Sequence, residues 1–347
     1  GGRAQGGARP PSRAGLTVQV GRALPQGLQR LVQLVRFRRA GLRSAVEEIA
    51  PEVLHAHYLV EHGFYATSAG FRPYVVSAWG SDVLVEAAGS PVNRAIARFA
   101  LSRADQSTAN NRHMAREMVL KLGVERGRVQ HIVLGVQREF LDRPEASVNA
   151  YVSEQPPTVL STRSIDKPLY NVDTIVRAMA RVRERIPAAR LVIVGEGRLR
   201  PQLEALASRL GLGEAVRFTG LLSQGELRHE MEEAHVFVSV PSSDATSVAL
   251  LQAMAVGCFP IVSDLPSQQE LVEQGSQGVR VAVRDEGTLA EAIVQALEDR
   301  ELRRAALERN RAFVEEYGVL ETNMAKMEAW YYRLAGRTGE WTPPRFD

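Results

Sequence analysis

The 347-residue chain reads as an α/β protein of two doubly wound domains, each a parallel sheet covered by helices on both faces. Three observations lead there. The length suits two domains of ordinary size. Short Val- and Ile-rich runs alternate with amphipathic helical stretches, the pattern of strands buried on both faces. The alternation comes in two blocks, separated by a polar bridge around Asp142–Pro157. The expected division is residues 1–148, residues 149–319, and a terminal segment 320–347.

The elements follow in order. Residues 1–15, rich in Gly, Pro and Arg, read as a mobile lead-in, followed by a short strand at Leu16–Val20. From Leu28 to Arg43, Leu28, Leu31, Val32, Val35 and Leu42 share one helical face, which Arg39 interrupts. Such a helix fits either an anionic membrane surface or a sheet. Strands are then expected at Val53–His57, Tyr74–Ala78, Gln106–Ala109 and Val129–Val133, with helices near 61–70, 91–103 and 112–122. The second block gives strands at Thr158–Ser161, Leu191–Val194, Val216–Thr219, Val236–Val240, Phe259–Val262 and Val279–Val283. Helices fit between them at 171–186, 199–210, 224–233, 247–256 and 287–299. A last helix, Leu320–Leu334, carries Leu320, Met324, Met327, Trp330 and Leu334 at helical spacing, a stripe suited to docking back on the first domain.

Composition removes several classes. With 45% apolar and 24% charged residues, disorder and fibrous repeats are excluded, and no run approaches the ~18 apolar residues of a spanning helix. The single cysteine, Cys258, leaves no internal disulfide framework and no cysteine zinc site. No secretory signal is visible, so the expectation is a reducing, cytoplasmic location. Nine of the 43 basic residues, all arginine, precede Glu47, the first acid; the remaining 34 bases face 40 acids, a net −6. A basic beginning on an acidic body suggests an anionic neighbour, with peripheral contact at the inner face of a membrane as one form of it and a plainly solvated surface as the alternative. Nucleic acid is disfavoured, because no aromatic-interleaved basic sheet or recognition helix accompanies the arginines. His229 and His235 lie six apart, about 240° around a helix, and do not form a metal face.

In doubly wound folds ligands sit beyond the carboxyl ends of the strands, so two facing domains place a site in the cleft between them. The most informative run there is Pro241 to Cys258. A strand ends near Val240, a polar turn holds Asp244, and a helix begins near Thr246 or Ser247, followed by Val248. The free amides and positive dipole end of that helix suit a diphosphate. Asp244 faces the ligand side, where a carboxylate accepts hydrogen bonds from sugar hydroxyls. Gln252, about a turn and a half on, is within reach of a ribose. The alternative reading makes Asp244 a helix cap.

This run resembles the motif of the retaining family-4 glycosyltransferases (glycosyl transferases group 1), in which two glutamates seven residues apart precede an Ala-Met-Ala-x-Gly segment. Asp244 and Gln252 fall on the two acidic positions, and Ala253-Met-Ala-Val-Gly257 follows in register. The match continues through Pro260–Asp264 and Glu270, and Ser161-Thr-Arg163, Val194-Gly-Glu-Gly197, Val216–Gly220 and Glu226-Leu227 occur in family order. It covers roughly residues 50 to 335. The fold it implies is GT-B, two facing Rossmann-like domains with a nucleotide-sugar donor on the second. By the resemblance Arg163 binds the donor diphosphate, Lys167 is its partner, and the Phe218–Gly220 backbone receives the nucleobase. Val194-Gly-Glu-Gly197 lacks a third glycine and reads equally as a tight turn. In the first half His57, ending Val53-Leu-His-Ala-His57, resembles the family histidine beside the reacting sugar, with His55 the buried member of the pair. Ser77–Asp82 resembles the family His-Gly-Ser-Asp loop with Trp79 replacing the histidine; Asp82 reads as acceptor-side or, preferably, structural.

Two departures stand out. Gln252 replaces an acid, and a neutral amide holds a ribose more weakly than a carboxylate by about 1 kcal/mol. The first domain also reads as short by about two strands, truncated or divergent. The resemblance implies a metal-independent, cofactor-free hexosyltransferase that moves a sugar from a nucleoside diphosphate to a hydroxyl acceptor with retention. The basic amino-terminal helix suggests a lipid-linked or envelope glycan as acceptor. The rivals are a nucleotide-sugar epimerase on the same fold and a non-catalytic nucleotide-sugar-binding protein.

Overall fold

The computed structural model describes residues 39–142, 156–339 and 342. The expected lead-in, the Leu16–Val20 strand, the first part of the helical stretch from Leu28 and most of the polar bridge lie outside these residues. Helix α1 covers 39–49, six residues past the limit expected from the sequence, and stops at Ala50, which has φ +48°, before Pro51.

The first sheet has four parallel strands in the order β1 (Leu54–His57), β2 (Tyr74–Ser77), β3 (Gln106–Ala109) and β4 (Val129–His131). Helices α2 (Phe64–Ala69), α3 (Pro91–Arg103) and α4 (Arg112–Leu122) connect them. The local chemistry of their ends is plain. Ser90 caps α3 with Pro91 at its first position, while Asn111 caps α4 and left-handed Gly123 ends it. Leu59, Tyr74, Val76, Ala97, Leu101, Met114 and Met118 fill the core between them. Each such fully buried large apolar side chain contributes about 1.5–3 kcal/mol.

The second sheet has six parallel strands: β5 (Thr158–Ser161), β6 (Arg190–Val194), β7 (Val216–Gly220), β8 (Val236–Ser239), β9 (Phe259–Ser263) and β10 (Val279–Val281), ordered β10-β9-β8-β5-β6-β7. Alternate strand residues feed opposite cores. Val159, Leu191, Ile193, Val236 and Val238 face α5 (Val172–Arg185), α6 (Arg200–Arg209) and α10 (Glu286–Glu298). Leu160, Val192, Val194 and Phe237 face α7 (Gln224–Glu233), α8 (Val248–Val256) and α11 (Arg300–Tyr317). Between β9 and β10 lies the four-residue helix α9 (Pro266–Gln269). The pair of doubly wound domains expected from the sequence is therefore what the chain forms.

Helix α11 is absent from the expectations. Its buried stripe is Arg303, Ala306, Asn310 and Val314, so two of four inward positions are polar and the apolar period is diluted. Both polar residues find partners inside the fold. Arg303 Nη1 donates to the Ala296 and Leu297 carbonyls at the end of α10 (2.6 and 2.8 Å), and Asn310 Nδ2 to the Gln277 carbonyl (2.9 Å). After α11 the chain returns to the first domain. Val136 N–H donates to Gly318 O (2.7 Å) and Leu320 N–H to Val136 O (2.8 Å). Gly135 is required at this crossing, since a Cβ there would lie 1.9 Å from Gly318 O. Helix α12 (Leu320–Leu334) then packs Met327 and Trp330 on Ile132, with Tyr331 over His55. No helix among the described residues is long and apolar enough to cross a membrane.

Candidate active site

The second sheet changes winding direction between β5 and β8, which are neighbours although β6 and β7 intervene in the chain. A doubly wound sheet has its crevice at such a point, because the connections leaving the two strands diverge to opposite faces. Arg163 lies two residues beyond β5 and Asp244 five beyond β8, so both emerge into this crevice. They meet there. Arg163 Nη2 donates to Asp244 Oδ2, and Nε donates to Ser239 Oγ at 2.7 Å. The guanidinium also stands 5.7 Å over the Tyr170 ring. The two side chains are only 13% and 15% exposed. A shielded charge pair of this kind is costly to break by removing one member, yet it can exchange partners with an incoming anion that brings its own charge.

The Asp244 loop is fixed independently of the helix that follows. Ser247 caps α8, its Oγ accepting from Leu250 N–H (3.3 Å), and α8 begins at Val248. Asp244 instead directs Oδ1 to Ala245 N–H (3.0 Å) and Oδ2 to Arg163, which removes the cap reading. The first amides of α8, which lack intrahelical partners by construction, emerge beside the loop. Thr246 Oγ1 donates across the cleft to Asn110 O (2.6 Å). Gln252 is 9% exposed on α8. Gly220 ends β7 with its carbonyl accepting from Gly195 N–H (2.9 Å). Near it, Arg200 Nη2 donates to Phe218 O (3.1 Å) and its guanidinium lies 6.0 Å over the Phe218 ring. Lys167 is exposed and lines a groove of about 480 Å³ with Ile165, Pro168, Arg177, Leu199 and Arg284.

On the first-domain side, β1 ends at His57, which is exposed at the cleft. Trp79 Nε1 donates to His57 Nδ1 (3.2 Å), and the rings meet edge to face at 5.7 Å. The protein around the ring, with the charge of nearby His62 second, lowers the His57 pKa, so the ring is neutral near pH 7 with Nδ1 accepting. His55 lies deeper, between Tyr331 Oη (2.5 Å from Nδ1) and Ser77 Oγ (2.7 Å from Nε2). Burial, aided by His57, lowers its pKa to about 4. Gly80 follows Trp79 with φ +116°, and a Cβ on it would sit 2.7 Å from Ala245 Cβ. Only glycine lets this loop touch the Asp244 loop. The loop is held by Asp82, 0% exposed, whose carboxylate accepts from the N–H groups of Leu59, Trp79, Gly80 and Val83 at 2.9–3.1 Å. Burial pushes the Asp82 pKa up against the pull of those four bonds. Asp82 therefore has the structural role preferred on sequence grounds, and acts on the cleft only through Trp79 and Gly80.

Several participants escaped the sequence reading. Ser239 sits inside an apolar strand, and its only signal was being a polar residue next to a strand end. Ser267 and Gln268 grip the Asp244 loop: Ser267 Oγ donates to Asp244 O (2.8 Å), and Gln268 Nε2 to Asp244 Oδ2 (3.4 Å) and Ala245 O (3.2 Å). No local pattern marks them. Among the described residues no group of three or more His, Cys, Asp or Glu side chains is arranged to hold a metal ion.

Comparison with known proteins agrees with this geometry. Residues 142–313 match the family model of glycosyl transferases group 1, and residues 26–111 match that of glycosyl transferase 4-like proteins. The N-acetyl-alpha-D-glucosaminyl L-malate synthase of Bacillus anthracis is 25% identical over 303 residues, 84% of this chain and 78% of that protein. The D-inositol 3-phosphate glycosyltransferase of Nocardia farcinica is 28% identical over 298 residues, 79% of this chain and 66% of that protein. Among solved structures, Anabaena Alr3699/HepE in complex with UDP-glucose superposes with a TM-score of 0.74 at 17% identity, covering 85% of this chain and 82% of that one, a likeness of fold. With both halves matched in order, the chain belongs to the group 1 glycosyltransferases, built on the GT-B plan.

Proposed function

We propose that the chain is a retaining, metal-independent glycosyltransferase that moves a sugar from a nucleoside diphosphate to a hydroxyl of a glycan or lipid-linked acceptor. The observation that carries this reading is the Arg163–Asp244 pair at the switch point of the second sheet, beside the start of α8. In the reaction the bond from the anomeric carbon to the diphosphate oxygen breaks, the acceptor oxygen bonds to that carbon on the same face, and the acceptor proton passes to the departing diphosphate. The departing group gains negative charge. Arg163 and the α8 amides at Ser247 and Val248 are fixed positive groups positioned to receive it without reorganising. Asp244, released from Arg163 when the diphosphate binds, accepts hydrogen bonds from the sugar, and neutral His57 faces it from the other domain. Gln252 serves the ribose and the Gly220 backbone the base. The arginine-rich amino-terminal part supports an acceptor at an anionic membrane surface.

Arg163→Ala tests the reading. Transfer should fall by at least about 100-fold, the scale for losing one preorganised donor to a developing anion, with nucleoside diphosphate binding weakened. Wild-type turnover should survive EDTA, and the released glycoside should keep the donor's anomeric configuration. Unchanged turnover in Arg163→Ala overturns the assignment, and an epimerised donor without added acceptor replaces it with the epimerase.

A further inference from the structure

We infer that Glu270 is a positioning residue that sets Asp244 by tying its loop to the first domain through α9. The inference rests on the reading of the Asp244–Arg163 crevice as the donor site. Glu270 reaches across the cleft to the start of α4, where Oε2 accepts from Arg112 N–H (2.8 Å) and Oε1 from His113 N–H (2.5 Å). Both amides are orphans of the helix start, since the Asn111 cap takes only Met114 N–H. A carboxylate against two such amides makes charge-assisted bonds on the favourable end of the helix dipole.

The same turn of chain holds Asp244. Ser267 grips its backbone carbonyl, and Gln268 grips its carboxylate and the Ala245 carbonyl. Ser267, Gln268 and Glu270 lie within four consecutive residues on and just after α9, so the turn cannot follow the first domain without carrying Asp244 with it. Two direct contacts complete the arrangement: Thr246 to Asn110 O, and Gly80 against Ala245. Residues 244–246 are thus held from both sides of the cleft. Asn110, which receives Thr246, is adjacent to the Asn111 cap of the helix that receives Glu270. Approach of the two domains and placement of the Asp244 carboxylate are one event, with Glu270 the charged contact on which it turns.

The experiment compares the full chain with Glu270→Ala, Glu270→Gln and Glu270→Asp. Turnover, calorimetric titration with nucleoside diphosphates, and hydrogen exchange at 112–113 and 244–246 are measured for each. Glu270→Ala should lower kcat by about 10- to 100-fold, the scale for misplacing a group by about 1 Å. Its nucleoside diphosphate affinity should stay within about twofold, because the loss is specific to the reacting geometry. Exchange should accelerate at 244–246 together with 112–113. Glu270→Asp, which keeps the charge, should recover part of kcat, and Glu270→Gln serves where the alanine variant does not fold. Wild-type kcat in Glu270→Ala overturns the inference, as does faster exchange at 112–113 with 244–246 unchanged. A wild-type chain that binds no nucleoside diphosphate overturns the donor-site reading instead, and the exchange data still judge the link.

Discussion

Replacing Asp82 by Ala should destabilise the first domain by about 3 kcal/mol, although the residue touches no ligand. Its carboxylate accepts four backbone N–H bonds and has no exposure. An N–H left buried without an acceptor costs about 1–3 kcal/mol. Trp79 is 46% exposed and its amide recovers water, and Val83 N–H keeps a second acceptor in Gly80 O (3.1 Å), which leaves the amides of Leu59 and Gly80 as the costly ones. Their combined loss, about 2–6 kcal/mol, is offset in part because the buried carboxylate's own desolvation disappears with it. Asp82→Asn keeps an oxygen for the three bonds now made to Oδ1 and turns its NH2 toward Leu59 N–H, for a loss of about 1–2 kcal/mol. The assay is urea denaturation followed by tryptophan fluorescence, to which Trp79 contributes from this loop. An alanine variant within about 0.5 kcal/mol of wild type, the range of an ordinary surface change, refutes the reasoning, as does an asparagine variant less stable than the alanine one.

Stability should also fall as pH drops from about 6.5 to 4. Burial lowers the pKa of His55 and of His235 to about 4, so over that window the unfolded chain binds protons that the folded chain refuses; the loss is on the order of 3 kcal/mol per histidine at its limit. His235→Gln should flatten the profile of melting temperature against pH, and a profile unchanged by it removes His235 from the account. Gln252→Glu should weaken the empty protein, since a carboxylate enters a site only 9% exposed. It should also tighten nucleoside diphosphate binding by about 1 kcal/mol, or fivefold. Thermal shifts with and without nucleotide separate the two effects, and equal shifts in both proteins count against a ribose beside residue 252.

Much of the fold was legible because its signal is local. Helices α3, α4, α7 and α12 and strands β3 and β5 match the sequence-derived limits to the residue, each bounded by a cap, a glycine or a change of period. Helix α11 was not legible, because Arg303 and Asn310 occupy inward positions and are satisfied by carbonyls that only the folded chain supplies. The candidate site was legible to the extent that its residues lie at or just beyond strand ends, as Arg163, Asp244 and His57 do. Lys167 also follows a strand, and it lies exposed on a groove lined by Pro168 and Arg284.

Short-range pattern was enough to settle most of the strands and helices, α11 excepted, that both sheets are parallel, and that polar residues after strand ends line a cleft. Period, turn chemistry and burial on two faces report all of that over short distances. Which of those residues meet was left to the packing of the folded chain. Strand order brings β5 beside β8 and so joins Arg163 to Asp244, 81 residues apart. The approach of the two domains joins Glu270 to the amides of Arg112 and His113, more than 150 residues away. Such pairings depend on long-range packing between whole layers, and no window of sequence contains both partners.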